Sequence, residues 1–335
     1  MGRGLVHAEA EIRISAASVV SGTTFPEGSL NITKPNLLII TINYRGADST
    51  VSFLESTSKL ERFDAAHLIV VENGSGDESV EKLRPVVANF SNVELLESAT
   101  NRGYFGAANW ALQQYLTRSS RPEWVIICNN DILFDDHQFL SKLLQRDPRD
   151  AQVIAPAIIA RLTGLDCNPF LRKRLTSIQL WRYRFWYSNY YLTWVVKILS
   201  PYVRILRHGF WRPESQSNTR ERIYAAHGSF LVFSRAYFDA GGYIDDGFFL
   251  YAEEFSVAEI CLRLGLHVIY DPDLRVWHFG HRATGRRLNR STFEYTRSGL
   301  HYAIEKYTLA EHPGKWTDLE HGTSEQADRI REINP

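Results

Sequence analysis

The sequence predicts an α/β fold: a mostly parallel sheet with helices on both faces, interrupted by a helical insertion. Three observations carry this. Apolar runs of strand length alternate with helical segments from Leu37 to Cys128, the pattern of repeated strand–helix–strand units. Most of these runs end in a cluster rich in Asn, Asp or Gly, and in parallel sheets ligands lie beyond the carboxyl ends of the strands. Between Asp166 and Arg212 the composition shifts sharply, with Trp, Tyr and Phe crowded among basic residues.

The elements follow in order. Leu37 to Ile42 reads as a buried strand, ended by Asn43-Tyr44-Arg45-Gly46, and a helix is expected around Ser52 to Leu60. Leu68 to Val71 is the next strand, stopped by the turn-forming Glu72-Asn73-Gly74-Ser75-Gly76-Asp77. A helix from Ser79 to Ala88 leads to a strand from Val93 to Leu96. Asn101-Arg102-Gly103-Tyr104-Phe105-Gly106 then precedes a helix from about Ala107 to Leu116, and the strand from Trp124 to Cys128 closes on Asn129-Asn130-Asp131. Beyond the insertion, Phe248 to Tyr251 reads as an aromatic strand presenting Glu253 and Glu254, with a helix from Phe255 to Leu264 and a strand from Val268 to Tyr270. The expected organisation is a loosely ordered leader (1–34), a nucleotide-binding half (35–165), the insertion (166–222), a catalytic half of the same domain (223–309) and a polar tail (310–335).

Composition narrows the function. The chain has 335 residues, 23% charged and 44% hydrophobic, and zero formal net charge, which is ordinary globular composition. Neither the charge nor any recognisable module supports nucleic-acid binding. Three widely spaced cysteines suit a reducing compartment. The N-terminus lacks a secretory signal and no apolar run reaches the roughly 20 residues of a membrane span. A cytoplasmic setting is expected, with a peripheral place on the inner face of the membrane as an extension.

Four clusters can carry chemistry. Asp131, with Asn129, can offer oxygens to a hard cation, although Asn and Asp equally make a turn after a strand. The glycines around Asn101 and Gly103 allow a ligand close to backbone at a helix start, and read equally as a capping loop. Glu253 and Glu254 can take a proton from a hydroxyl, or simply favour a helix N-terminus. His278 and His281 are candidate ligands or orienting groups, or structural histidines.

In this order the clusters resemble the family 2 glycosyltransferases with the GT-A fold, a Rossmann-like architecture, and particularly bacterial rhamnosyl-, galactofuranosyl- and related polysaccharide-assembly enzymes. The resemblance runs from about Pro35 to Tyr307 and rests on Asn43-Tyr44, Glu72-Asn73-Gly74-Ser75, Asn101 through Asn109, Asn129-Asn130-Asp131, His227-Gly228-Ser229-Phe230, Gly241-Gly242-Tyr243-Ile244-Asp245-Asp246, Phe248 through Glu254, and His278. It implies an inverting transfer from a nucleoside-diphosphate sugar. Asn43, Tyr44, Glu72, Asn73, Asn101, Gly103 and Asn130 would line the donor. Asp131, Asn129 and His278 would hold Mg²⁺ or Mn²⁺. Glu254, with Glu253 as the fallback, would be the base, and Arg297 would meet the leaving diphosphate.

Between Cys167 and Pro213 there is no Asp or Glu, but there are nine Lys or Arg residues. Residues 172–211 therefore read either as contact with an anionic membrane surface, suiting a lipid-linked acceptor, or as an acceptor subdomain whose aromatics stack on glycan. A non-catalytic glycan-binding scaffold and, more remotely, a sugar nucleotidyltransferase are the competing functions.

Overall fold

The computed structural model describes residues 36–208, 218–280 and 289–308. The leader, the polar tail, Trp211 and His281 lie outside the described residues. In chain order the elements are β1 (Leu37–Asn43), α1 (Ala47–Thr57), β2 (Ala66–Asn73), α2 (Ser79–Val87), β3 (Val93–Ser98), α3 (Tyr104–Leu116), β4 (Trp124–Asn129), β5 (Ile132–Leu133), α4 (Phe139–Leu144) and β6 (Val153–Ala160). The insertion supplies α5 (Ser177–Trp186) and α6 (Tyr190–His208). Then come β7 (Glu221–Ile223), β8 (Phe230–Ser234), α7 (Arg235–Asp239), α8 (Glu253–Leu264), β9 (Val268–His278) and α9 (Arg290–Ala303).

One sheet runs through the fold in the order β3-β2-β1-β4-β8-β6-β9-β5, with β7 also on β9. Strands β1 to β4 are parallel. β8 lies antiparallel to β4 and to β6, and β9 is parallel to β6. The expected parallel α/β half is therefore present, and it continues into a mixed half.

Every residue of β1 is buried, because a strand covered on both faces reads as an unbroken apolar run. Its side chains alternate between two cores. Leu38 and Ile40 pack with Phe105, Leu112 and Val257 from α3 and α8. Leu37 and Ile39 pack with Phe53, Leu83 and Phe139 from α1, α2 and α4.

Three local expectations need correction. α1 begins at Ala47 rather than near Ser52, because the Gly46 carbonyl accepts the N–H groups of Ser49 and Thr50. α3 begins at Tyr104 rather than Ala107, its first turn set by Gly103 at φ 74°. Phe248 to Tyr251 is not a strand. The Phe249 carbonyl accepts the Tyr104 N–H across the molecule (2.8 Å), which takes it out of any ladder, and Tyr251 and Ala252 both adopt left-handed backbone.

Strand direction sets up the site. The carboxyl ends of β1, β2, β3, β4, β6 and β9 and the amino end of β8 all fall on one edge of the sheet. There the Asn129 N–H donates to the Ser229 carbonyl (2.9 Å), stitching the parallel half to the mixed half.

Candidate functional site

At the end of β1, Asn43 is fully buried, and its Oδ1 accepts from the Thr50 hydroxyl (2.9 Å) and from Asn130 Nδ2 (3.3 Å). Its own Nδ2 is buried without a partner. Tyr44 is half-buried, with the Arg45 guanidinium 5.1 Å from its ring centre. Arg45 bridges to the next turn, its N–H donating to Ser75 Oγ (2.9 Å) and its Nε–H to the Ser75 carbonyl (3.1 Å).

Several expected donor contacts are occupied with holding loops. Glu72 accepts the backbone N–H groups of Gly74 (3.2 Å) and Ser75 (3.0 Å), folding its own turn. Asn73 donates to Asn101 Oδ1 (3.0 Å) and the Gly103 carbonyl (3.1 Å) and accepts from the Arg102 N–H (2.9 Å). Asn101 also accepts the Gly103 N–H. Asn130 donates to Thr50 Oγ1 (2.9 Å) and to the Gly46 carbonyl (3.2 Å). Gly103 is required by crowding: a Cβ there would lie 2.3 Å from the Phe249 carbonyl oxygen. These residues shape the edge.

Asp131 and His278 meet beyond β4 and β9. His278 Nε2 lies 3.2 Å from Asp131 Oδ1, close enough to pair in charge. The two atoms are out of line for a hydrogen bond, and Asp131 Oδ1 is buried with no hydrogen-bond partner. Burial works against a charged His278 ring, but Asp131 and the neighbouring Cys167 outweigh it and hold the pKa at about 9. Asn129, the last residue of β4, is half-buried beside this pair. The His227 ring lies 6.1 Å from that of His278. Burial, then the His278 charge, lowers its pKa to about 4. Because the Ser229 N–H donates to His227 Nδ1 (3.2 Å), the neutral ring carries its proton on Nε2.

Glu253 and Glu254 form the first turn of α8. Glu253 is 5% exposed, and its Oε2 is buried without a partner. Burial, and then the Glu254 charge, pushes its pKa well above the carboxylate range. Glu254 is half-buried and accepts the Gly228 N–H (3.2 Å); burial raises it as well. Two like charges this close ionise in sequence. A Cβ on Gly228 would press on Glu254 Oε1 at 3.0 Å and on Glu253 Oε1 at 3.3 Å.

Tyr104 joins the two groups. Its hydroxyl donates to the Gly228 carbonyl (2.9 Å), and after burial its pKa is raised by Cys128, Glu253, Glu254 and Asp131. The structure thus brings Asp131, His278, Glu253 and Glu254 to one neighbourhood. Arg297 is placed on α9, where it pairs with Glu294 at 3.5 Å, one turn earlier. Tyr104, His227 and Arg45 were not singled out from sequence as site residues. Each lies inside a quoted motif, and that membership was the one signal that could have pointed to it.

The arrangement places a largely buried carboxylate–histidine pair and a pair of glutamates with raised pKa at one sheet edge. No curated protein sequence matches the chain. Solved structures that resemble it include the mannosyltransferase PcManGT from Pyrobaculum calidifontis in complex with GDP-Man and Mn²⁺, at 17% identity and TM-score 0.45, covering 75% of this chain and 59% of that one. GalNAc-T7 with UDP, GalNAc and Mn²⁺ is 15% identical at TM-score 0.52, covering 89% of this chain and 54% of that one. TarS from S. aureus is 14% identical at TM-score 0.47, covering 73% of this chain and 36% of that one. The chain therefore spans well under two thirds of each of these neighbours. The profile of glycosyl transferase family 2 matches residues 38–240, more than half of the chain and every element from β1 through α7. On that match, and with the fold it predicts in place, the chain belongs to glycosyl transferase family 2.

Proposed function

We propose that the chain is an inverting, metal-dependent transferase. In this reading it moves a hexosyl or deoxyhexosyl unit from a nucleoside-diphosphate sugar to a hydroxyl of a glycan or lipid-linked glycan, in cell-surface polysaccharide synthesis. The observation that carries the reading is the meeting of the Asp131–His278 pair and the Glu253–Glu254 pair around Tyr104.

Asp131 and His278, with Asn129 beside them, fit Mg²⁺ or Mn²⁺. Their donors are oxygen and an imidazole nitrogen that would have to give up its proton to the cation, and one Asp131 oxygen is buried without a hydrogen bond. Among the described residues no group of three or more His, Cys, Asp or Glu side chains could hold a metal alone, so diphosphate oxygens would complete the shell. When bound, the cation would neutralise charge on the diphosphate. The structure of GalNAc-T7, which shares the fold, holds UDP and Mn²⁺.

The chain's own residues supply the rest. Tyr44 and the unpartnered Asn43 Nδ2 face nucleotide recognition, on a floor braced by Glu72, Asn73, Asn101 and Asn130. Glu254, the more accessible acid, is the base and takes the proton of the acceptor hydroxyl. The acceptor oxygen bonds to the anomeric carbon as the bond to the diphosphate oxygen breaks. Nucleoside diphosphate leaves with the electron pair, toward Arg297. Glu253 stays protonated, so a single negative charge occupies the pair. The three cysteines are unpaired, which fits a cytoplasmic setting.

A panel of nucleotide sugars, assayed for binding and slow hydrolysis with and without Mg²⁺ or Mn²⁺, tests the reading. Release of nucleoside diphosphate should need a cation and fall by about 10²-fold or more in Asp131→Ala and Glu254→Gln. The reading fails if no donor binds under either condition. Donor binding with no turnover that these variants reduce would favour the non-catalytic scaffold.

A further inference from the structure

The insertion exposes apolar surface that the catalytic body does not use. On α6, Tyr191 (75% exposed), Trp194 (49%), Val195 (42%), Ile198 (44%) and Leu199 (51%) recur at helical spacing on one face. The opposite face is packed: Thr193 is buried, and Tyr190 meets Phe293 of α9 edge to face at 5.5 Å. α5 touches both α6 and α9 and repeats the pattern, exposing Ile178 (73%), Trp181 (68%) and Phe185 (53%) three or four residues apart. A helix ordinarily buries such a stripe; here it faces solvent.

We propose that the α5–α6 face docks on an anionic phospholipid surface, lying in the interface rather than crossing it. The inference stands apart from the transferase reading. No helix among the described residues is long and apolar enough to cross a membrane. An amphipathic helix of this length with Trp and Tyr on its apolar face suits the headgroup boundary.

Charge selects the partner. The run between Cys167 and Pro213 contains no Asp or Glu. Three of its cations pair with acids elsewhere in the chain, Arg172 with Glu221, Arg174 with Glu259 and Arg184 with Glu305. Lys173 and Arg182 are exposed in the same segment. A second copy of this chain docking through the same face would set these cations against each other, since a two-fold contact pairs like with like. Anionic headgroups match them.

Sedimentation of the full-length chain with phospholipid vesicles, without any donor, tests this. Vesicles of phosphatidylcholine alone should bind weakly, and vesicles also containing phosphatidylglycerol should bind strongly, less so at high salt. Trp194→Glu with Ile198→Glu replaces two half-exposed side chains, so the thermal melt should be retained while vesicle affinity falls at least about tenfold. Lys173→Glu with Arg182→Glu should weaken binding to anionic vesicles alone. The proposal is overturned if the chain ignores anionic vesicles or if both double variants bind as the parent does. A concentration-dependent dimer that the Trp194 and Ile198 variant dissociates would assign the face to self-association and overturn it equally.

Discussion

Six buried side-chain polar atoms among the described residues have no hydrogen-bond partner, and Asn43, Asp131 and Glu253 supply three of them. Unsatisfied groups are costly in a folded core, so the gathering of these three at one sheet edge is a cost that a bound ligand would relieve. The two glutamates differ in a testable way. Glu254 ionises first, since burial alone raises it, whereas Glu253 must also ionise against the Glu254 charge. Transfer should therefore rise with pH through a midpoint above the usual carboxylate value of about 4.3. That limb should stay in place in Glu253→Gln, and turnover in Glu254→Gln should fall about 10²–10⁴-fold. Stability has the opposite sign. A carboxyl whose folded pKa is raised contributes most below its unfolded pKa, and the contribution is lost as pH rises through the folded value. Glu253→Gln should thus melt at least about 2 °C above the parent at neutral pH, the gap closing toward pH of about 4. Sequence placed the right residue types at the strand ends but not their tasks. Asn73, Asn101 and Glu72 use their polar atoms on turns, and a turn-bracing Asn looks the same in sequence as a ligand-binding one.

Among the elements, the start of α8 shows most plainly what local pattern conceals. The apolar Phe248-Phe249-Leu250-Tyr251 promised a strand, but the chain passes beneath Gly103 and turns through two left-handed residues, Tyr251 (φ 69°) and Ala252 (φ 69°). Non-glycine residues hold this conformation only where surroundings enforce it. Gly299 of α9 leaves room for this turn, since a Cβ on it would meet the Tyr251 carbonyl oxygen at 2.4 Å. The result aims Glu253 and Glu254 at Gly228. Two glycine substitutions should separate aim from scaffold. Gly228→Ala meets side-chain oxygens at 3.0 and 3.3 Å, so turnover should drop while the melt barely moves. Gly103→Ala meets backbone and requires positive φ, so it should cost about 2–4 kcal/mol of stability, read by denaturant unfolding. Strands β6 and β8 were not delimited from sequence: both are short apolar runs, and such a run alone does not separate a buried strand from a buried helical segment.

At the scale of the whole molecule, the insertion is tied to α8, the helix that carries Glu253 and Glu254. Arg174 meets Glu259 of α8 through two hydrogen bonds (2.7 and 2.9 Å), and the Tyr224 hydroxyl donates to the same carboxylate at 2.6 Å. Glu259 is 2% exposed, so Arg174→Ala strands a buried charge. It should cost about 1–3 kcal/mol, measured by thermal or denaturant melts, with Arg174→Lys recovering only part because it lacks the planar fork. The fold class was legible at this scale because strand–helix alternation is a local signal repeated from Leu37 to Cys128. The mixed half was not, since antiparallel returns such as β8 leave no trace in neighbouring residues.

The seam between those halves has a consequence for synthesis. Trp124 of β4 pairs with Ser234 of β8 and Cys128 with Phe230, about a hundred residues later in the chain. At ribosomal speeds of about 5–20 residues per second, roughly 5–20 s pass before that partner exists. Meanwhile β1, β2 and β3 can assemble, but the outer edge of β4 stands open with Val125, Ile126 and Ile127 on it while β5, α4, β6 and the aromatic insertion emerge. An open apolar edge is a template for the wrong strand. The nascent chain is thus most exposed to misassembly between the synthesis of β4 and that of β8, and a stall inside the insertion leaves a half-sheet with its edge unpaired.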